Sequence, residues 1–300
     1  MGDRVAKLKY LDPLLAVVEF PHRNFMRECT IRDGRAEPKL AGPLMNALDS
    51  FGFGLQRVPS CSAPLEDLRD PNRLDEVYTP VLMKWLQEQT GCAHAQKVNA
   101  VLRRSLPGRA TAADRDQMSK NHFVIPGAWT GAIDGVHADY TDDSLLVHAA
   151  RAIQAKRGLT GGRWIAVNVW RPVAGPVSCW PLAICDARSV DAAHLSPRET
   201  PENRNWVFNA HPEGDHEWWW FPQMTTDEQI VFKSWDEGAH VGTGPVLDRI
   251  RRSGQDVSVC VLHTGFPDSE SPDDAPPRES LEVRALLFWP RVHADTVPKL

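Results

Sequence analysis

From Val136 onwards the chain breaks into short apolar segments divided by Gly, Pro and Asp. Trp164–Trp170 is stopped by Pro172, and Pro181–Cys185, Trp206–Phe208, Trp218–Phe221, Ile230–Phe232, Val257–His263 and Leu281–Trp289 follow. Segments of this length rich in Val, Ile, Phe and Trp read as strands, and turn residues between them rule out long helices. A chain so punctuated folds as a β-sandwich or jelly-roll barrel rather than around a parallel α/β sheet. The expected fold is therefore mainly β with flanking helices. One helix is expected within the β region, near Asp143–Gln154, and Thr225-x-x-Glu228 has the form of a capping box that predicts a helical turn before Ile230.

The first hundred residues are mixed. Ala16–Phe20 and Glu28–Ile31 read as short strands, and Gly42-Pro43 opens a short helix through Leu44–Leu48. Thr79-Pro80 has the form of a helix start with threonine as cap, and Gly91 ends that helix. It is expected to turn Val81, Trp85 and Leu82 towards a core. Residues 105–130 show no periodicity and read as a surface loop. The organisation expected is one domain over 1–300, with a mixed α/β scaffold (1–100) packed on a β core (130–292).

A formal net charge of −5 and no Lys/Arg run leave no footprint for nucleic acid. No apolar run spans a bilayer, and the N-terminus lacks the apolar stretch of a signal peptide, so a cytoplasmic protein without a membrane partner is expected. The six cysteines are scattered, with no C-x-x-C, and are expected to be buried thiols rather than zinc ligands or disulfides.

The chemistry lies in Gly135-Val136-His137-Ala138-Asp139-Tyr140-Thr141. Residues two apart on a strand project from one face, so His137 and Asp139 point together. An imidazole and a carboxylate so placed are two thirds of the 2-His-1-carboxylate triad of non-heme Fe(II) oxygenases. His263, after Val257, Val259 and Val261 on one face, is a candidate third ligand at a cavity rim. His216, in Gly214-Asp215-His216-Glu217-Trp218, is the alternative. Arg278, Ser280 and Arg284 share a strand face, and a guanidinium fork beside a hydroxyl suits bidentate capture of a carboxylate. Asn168 and Arg171 are further candidates for cosubstrate or substrate contact, the alternative for Arg171 being a structural ion pair. Tyr140, Trp170 and Trp219 are candidates for lining a substrate pocket.

The order His-x-Asp, distal His, Arg-x-Ser resembles that of 2-oxoglutarate-dependent oxygenases. Closer motifs are Asn168-Val169-Trp170-Arg171-Pro172, Trp180–Arg188, Trp219–Met224 with Asp227-Glu228, His263-Thr264-Gly265-Phe266 and Arg278–Ala285. Together these resemble the family of the fungal gibberellin desaturase, the asaB-type hydroxylase/desaturases and the hydroxylase component of cephamycin 7-α-methoxylation. The similarity covers roughly residues 75–290, with Gly265 where such sequences often carry Ala. The resemblance implies a double-stranded β-helix, Fe(II), 2-oxoglutarate and O2, and oxidation of an sp3 C–H bond in a small secondary metabolite. Arg278 and Ser280 would then hold the far carboxylate of the cosubstrate. Two other classes compete. A methyltransferase needs a Gly-rich turn after a first parallel strand, whereas Gly161-Gly162 precedes one. A non-catalytic metal-bearing β-barrel would keep the His/Asp/His but has no use for Arg278 and Ser280.

Overall fold

A computed structural model describes residues 2–11, 24–59, 64–105, 118–119, 129–130, 135–141, 143–200, 205–237 and 260–290. In chain order the strands are β1 (Arg4–Leu11), β2 (Asn24–Asp33), β3 (Phe53–Arg57), β4 (His94–Ser105), β5 (Met118–Ser119), β6 (Trp129–Thr130), β7 (His137–Ala138) and β8 (Trp164–Pro172). Then come β9 (Leu182–Cys185), β10 (Leu195–Thr200), β11 (Asn205–Ala210), β12 (Trp218–Trp220), β13 (Glu228–Glu237), β14 (His263–Gly265) and β15 (Arg278–Phe288). They form an eight-stranded sheet, β1-β2-β12-β9-β14-β7-β11-β10, and a seven-stranded one, β3-β13-β8-β15-β4-β6-β5. The two curl over a shared core as a double-stranded β-helix. Strands from the first hundred residues, β1 to β4, are hydrogen-bonded into these same sheets.

Alternation explains how the seven-stranded sheet is held. All nine residues of β8 are buried. Ile165, Val167 and Val169 meet an outer layer with Leu44, Leu48, Tyr78, Leu82 and Leu86, together with Leu281, Val283, Ala285 and Leu287 of β15. Trp164 and Ala166 point the other way, into the core shared with Trp218, Trp220 and Cys185 of the opposite sheet. A strand buried on both faces reads as a continuous apolar run, as β8 does. Its two polar exceptions on the inner side and at its end, Asn168 and Arg171, are therefore conspicuous.

Several local expectations change. The helix Thr79–Thr90 does not begin at a threonine cap: a π-helical segment, Leu74–Tyr78, runs straight into it, and the Thr79 hydroxyl donates to Asp75 instead. Gly91 ends it in the left-handed region (φ 68°), which costs a residue without Cβ nothing. Its buried face is Leu82, Leu86 and Thr90, while Val81 and Trp85 are only half-buried, because the packing stripe follows Tyr78 at i, i+4 and i+8. Thr225-x-x-Glu228 caps no helix. The Glu228 carboxylate accepts from the Thr225 amide in a turn and from Arg35, and β13 starts at Glu228, where it pairs with Arg57 of β3.

His263 opens a three-residue strand rather than ending a seven-residue one; Val257 and Val259 lie outside the described residues. Of the expected loop over 105–130, Met118–Ser119 and Trp129–Thr130 are strands at the sheet edge, and most of the rest lies outside the described residues, as do Ala16–Phe20 and Cys61. The helix expected near Asp143–Gln154 runs over Leu145–Lys156. The five described cysteines are free, four of them buried and Cys29 half-buried. No helix among the described residues is long and apolar enough to cross a membrane.

Candidate metal centre and anion pocket

Strand register brings the two histidines together. On adjacent antiparallel strands β7 and β14, His137 lies directly opposite His263, and directly opposed side chains on one face are near neighbours. Their ring centroids are 4.4 Å apart. Asp139 follows β7 by one residue, and its Oδ1 is 3.5 Å from His137 Nε2 and 3.9 Å from His263 Nε2. One ligand atom from each of the three lies within 4.8 Å of the others, and all three residues are buried.

Each side chain is held by the atom a metal would not use. His137 Nδ1 lies 2.8 Å from the Gly135 carbonyl and His263 Nδ1 3.4 Å from that of Val261. As carbonyls only accept, Nδ1 carries the hydrogen and Nε2 the lone pair. His137 Nε2 is buried with no hydrogen-bond partner. Asp139 Oδ2 accepts from Asn168 Nδ2 at 2.6 Å and from the Ser234 hydroxyl at 3.3 Å, leaving Oδ1 on the side of the imidazoles. A buried ring nitrogen left unsatisfied costs about 1–3 kcal/mol, so the arrangement fits a divalent cation better than it fits an empty core.

The electrostatics agree. Burial pushes the His263 imidazole down to about 4, helped by repulsion from His137, so it is neutral and able to donate its lone pair at neutral pH. Burial opposes ionisation of Asp139, but Arg284 and then the two histidines outweigh it and hold the carboxyl well below the usual range.

Beside this trio lies a cavity lined by His137, His263, Trp170, Leu182, Gly265, Arg103, Arg278 and Glu282. Arg278 is buried, with Nη1 donating to the Trp180 carbonyl at 2.6 Å and the guanidinium 5.6 Å from the Trp170 ring centre. Its Nε has no partner, nor has the buried Ser280 hydroxyl two residues on. Burial, then the Arg103 charge, bring Arg278 down to about 10, still cationic at neutral pH. One unspent donor on a buried cation and a second on the neighbouring Ser280 hydroxyl describe a seat for an anion.

The other sequence candidates are dispersed. Asn168 holds Asp139, and lies opposite Arg284 on β15. Arg284 reaches Asp139 Oδ1 at 3.7 Å and Glu282 at 2.8 Å. Tyr140 is buried in the core and is not among the cavity-lining residues. Arg171 projects towards the helical layer, donating to the Thr226 carbonyl and covering the Tyr78 ring. Trp219 is half-buried, edge-on to Phe51 and beneath Arg32. His216 stacks on Tyr10 with Nδ1 3.2 Å from its hydroxyl, next to His194, outside the His137 group. Sequence reasoning missed Glu282, Arg103 and Ser234. Alternation from Arg278 through Ser280 to Arg284 includes Glu282 and could have found it. Ser234 sits at a register shift in β13, between Lys233 and Trp235, and Arg103, buried on β4, lies opposite Ser280 of β15.

Residues 18–288 match the model of the family described as "Oxidoreductase/YMDC permease-like domain". Hydroxylase/desaturase CTB9 of Cercospora beticola is 31% identical over 73% of this chain and 65% of its own length. The chain belongs to this family of Fe(II)/2-oxoglutarate-dependent hydroxylase/desaturases. Alpha-ketoglutarate-dependent dioxygenase phiK of a fungus (Fungal sp.) is 27% identical over 81% of the chain and 79% of its own length. The relatives are spanned to differing extents, from 41% to 79% of their lengths. Among solved structures, the iron and alpha-ketoglutarate-dependent endoperoxidase NvfI superposes with a TM-score of 0.71 over 97% of this chain and 99% of its own, at 21% identity, which establishes the shared fold. The cofactors of the family are Fe(II) and 2-oxoglutarate, and the His-Asp-His trio suits the metal. A methyltransferase reading falls with the fold, since a double-stranded β-helix has no doubly wound sheet for the nucleotide.

Proposed function

We propose that this protein couples decarboxylation of 2-oxoglutarate to oxidation of an sp3 C–H bond in a small secondary metabolite, by hydroxylation, desaturation or oxidative cyclisation. His137, Asp139 and His263 hold Fe(II), and Arg278 with Ser280 anchors the far carboxylate of the cosubstrate. The whole chain acts as one oxygenase unit in the cytoplasm. The observation that carries this reading is a buried, partnerless His137 Nε2 within a ligand trio, on a cavity shared with Arg278, whose Nε is partnerless, as is the Ser280 hydroxyl two residues on.

Iron with 2-oxoglutarate and O2 supplies an oxidant strong enough for an unactivated C–H bond, releasing succinate and CO2. The chain's own contribution is placement. The Gly135 and Val261 carbonyls fix the imidazole tautomers, and Asn168 and Ser234 hold Asp139 so that Oδ1 faces the two imidazoles. A metal held by these three residues would keep further ligand positions for the cosubstrate's oxo-acid end and O2. Trp170, Leu182 and Gly265 line the wall beside the ligands and keep water from the reacting carbon. Trp170 also backs the Arg278 guanidinium, which lies 5.6 Å from its ring centre.

The test needs no knowledge of the substrate. Protein with Fe(II), ascorbate, O2 and 2-oxoglutarate is expected to release succinate slowly, and anaerobic samples and Asp139→Ala none. Equal succinate release by Asp139→Ala would defeat the proposal. The non-catalytic barrel would bind metal and release none under any condition, including with candidate pathway intermediates.

A further inference from the structure

β15 carries four polar residues on its inner face, and one is an acid among arginines. Glu282 is buried, lines the cavity, and places Oε1 2.8 Å from Arg284 Nη2 and Oε2 3.4 Å from Arg103 Nε. The same Arg284 Nη2 stands 3.7 Å from Asp139 Oδ1, the carboxylate oxygen left facing the two imidazoles. Asp139 Oδ2 is already spent on Asn168 and Ser234. Any metal bound by this trio therefore competes with one guanidinium for one oxygen. A guanidinium that closed the last ångström onto Oδ1 would satisfy the carboxylate and weaken the site for a cation. Arg284 is nearer to Glu282 than to Asp139, and the two form a close ion pair at 2.8 Å.

We propose that Glu282 is a positioning residue that holds Arg284 off the metal-facing oxygen of Asp139, and so sets how tightly the trio takes a divalent cation. This rests on the metal reading given above. The carboxylate also ties down Arg103, whose charge faces the same cavity as Arg278. Loss of the Glu282 charge therefore weakens cation binding and strengthens anion binding. A merely structural role would weaken both.

The decisive experiment is a double-mutant cycle read by Co(II) titration of the full chain, with 2-oxoglutarate titrated into the Co(II)-loaded protein. Glu282→Gln is expected to raise the Co(II) dissociation constant roughly tenfold, and to leave 2-oxoglutarate binding equal or tighter. Arg284→Gln is expected to tighten Co(II) binding severalfold. The distinguishing result is the double variant: with no Arg284 to restrain, adding Glu282→Gln should change Co(II) affinity less than about twofold. Full additivity would mean that Glu282 acts by its charge alone and overturns the inference, as would parallel loss of Co(II) and 2-oxoglutarate binding. Should Glu282→Gln fail to fold, Arg284→Gln alone decides, since unchanged or weaker Co(II) binding contradicts the competition. A wild type that takes up no Co(II) removes the metal reading, and this inference with it. Normal Co(II) uptake that is lost in Asp139→Ala, together with an additive cycle, removes the inference alone.

Discussion

Two clusters of buried charge are built on the seven-stranded sheet, and they treat their hydrogen-bonding capacity differently. In the first, Lys233 and Asp236 of β13 meet Arg163, just before β8, and Asp49 on the helix Leu44–Ser50. Arg163 donates to both oxygens of Asp236 at 3.2 and 2.7 Å, and Lys233 reaches Asp236 at 2.8 Å and Asp49 at 3.5 Å. None of these side chains has a buried nitrogen or oxygen without a partner. In the second, Glu282, Arg103 and Arg278 line the cavity, and Arg284 stands between Glu282 and Asp139. There His137 Nε2, Arg278 Nε and Ser280 Oγ are buried and unpartnered. Buried charge alone thus distinguishes nothing, because fully matched clusters are structural. Donors and acceptors left over after the protein has paired its own groups mark where a ligand completes the set.

The largest expected effect is on the unfinished cluster. His137→Ala, Asp139→Ala and His263→Ala should each abolish binding of one Fe(II) per chain in anaerobic titration, whereas His216→Ala should keep it. Loss of iron only in the His216 variant would move the third ligand to the Tyr10–His194 cluster and undo the comparison.

The finished cluster should respond in stability instead. Lys233 is fully buried, so Lys233→Met leaves Asp236 with one cation fewer, and breaking such a pair typically costs about 3–5 kcal/mol. Urea unfolding should show that loss at unchanged metal affinity. Retained stability, or weakened metal binding, would mean that the two clusters are not separable.

Arg278→Ala sharpens the contrast in the opposite sense. Removing a charged anchor from a partly buried pair costs about 2–5 kcal/mol, so the KM for 2-oxoglutarate should rise more than tenfold. Unfolding free energy should move little, because the side chain removed is itself incompletely paired. A large change in KM with Arg284→Ala and none with Arg278→Ala would transfer the anchor to Arg284.

The same distinction explains what could be read in the sequence. Strand-rich architecture was legible because Gly, Pro and Asp punctuate short, largely buried segments such as Trp164–Trp170 and Leu281–Phe288, whose apolar runs are interrupted only by Asn168, Glu282 and Arg284. His137 and Asp139 were legible as a pair because their spacing is local. His263 was chosen over His216 from the residues that follow it, not from register, although its position opposite His137 is what brings the rings together. Long-range pairing is invisible in one sequence, so Arg103 and Ser234 had no signal. β1, with Val5, Lys7 and Lys9 alternating against Ala6, Leu8 and Tyr10, had a clear period-two signal that the overall reading passed over. The Thr225-x-x-Glu228 motif misled because its chemistry is real, a carboxylate accepting from an amide three residues back, while a strand follows it. Trp219 and Arg171 misled because aromatic and cationic residues serve packing as readily as binding.

The smallest effect expected is on pH dependence, and it comes from the imidazoles rather than the ion pairs. Burial lowers both His263 and His216 from 6.5 to about 4 in the folded, metal-free protein. Between those values the unfolded chain binds a proton at each histidine and the folded chain does not. Stability therefore rises with pH across this window and is lost as pH falls from about 6.5 towards 4, by up to about 3 kcal/mol for each group at the acid end. His216→Phe should remove one of the two contributions and flatten the urea midpoint between pH 6.5 and 4. The matched cluster behaves otherwise: Asp236 is held below its ordinary range by Lys233 and Arg163 against the opposing effect of burial, so its contribution survives until lower pH. A divalent cation on His137 and His263 competes with protons for the same lone pairs, so its stabilising effect should fade as the solution becomes acidic. Equal slopes for wild type and His216→Phe would show that His216 is solvated in the folded state, which its contacts with Tyr10 and His194 contradict.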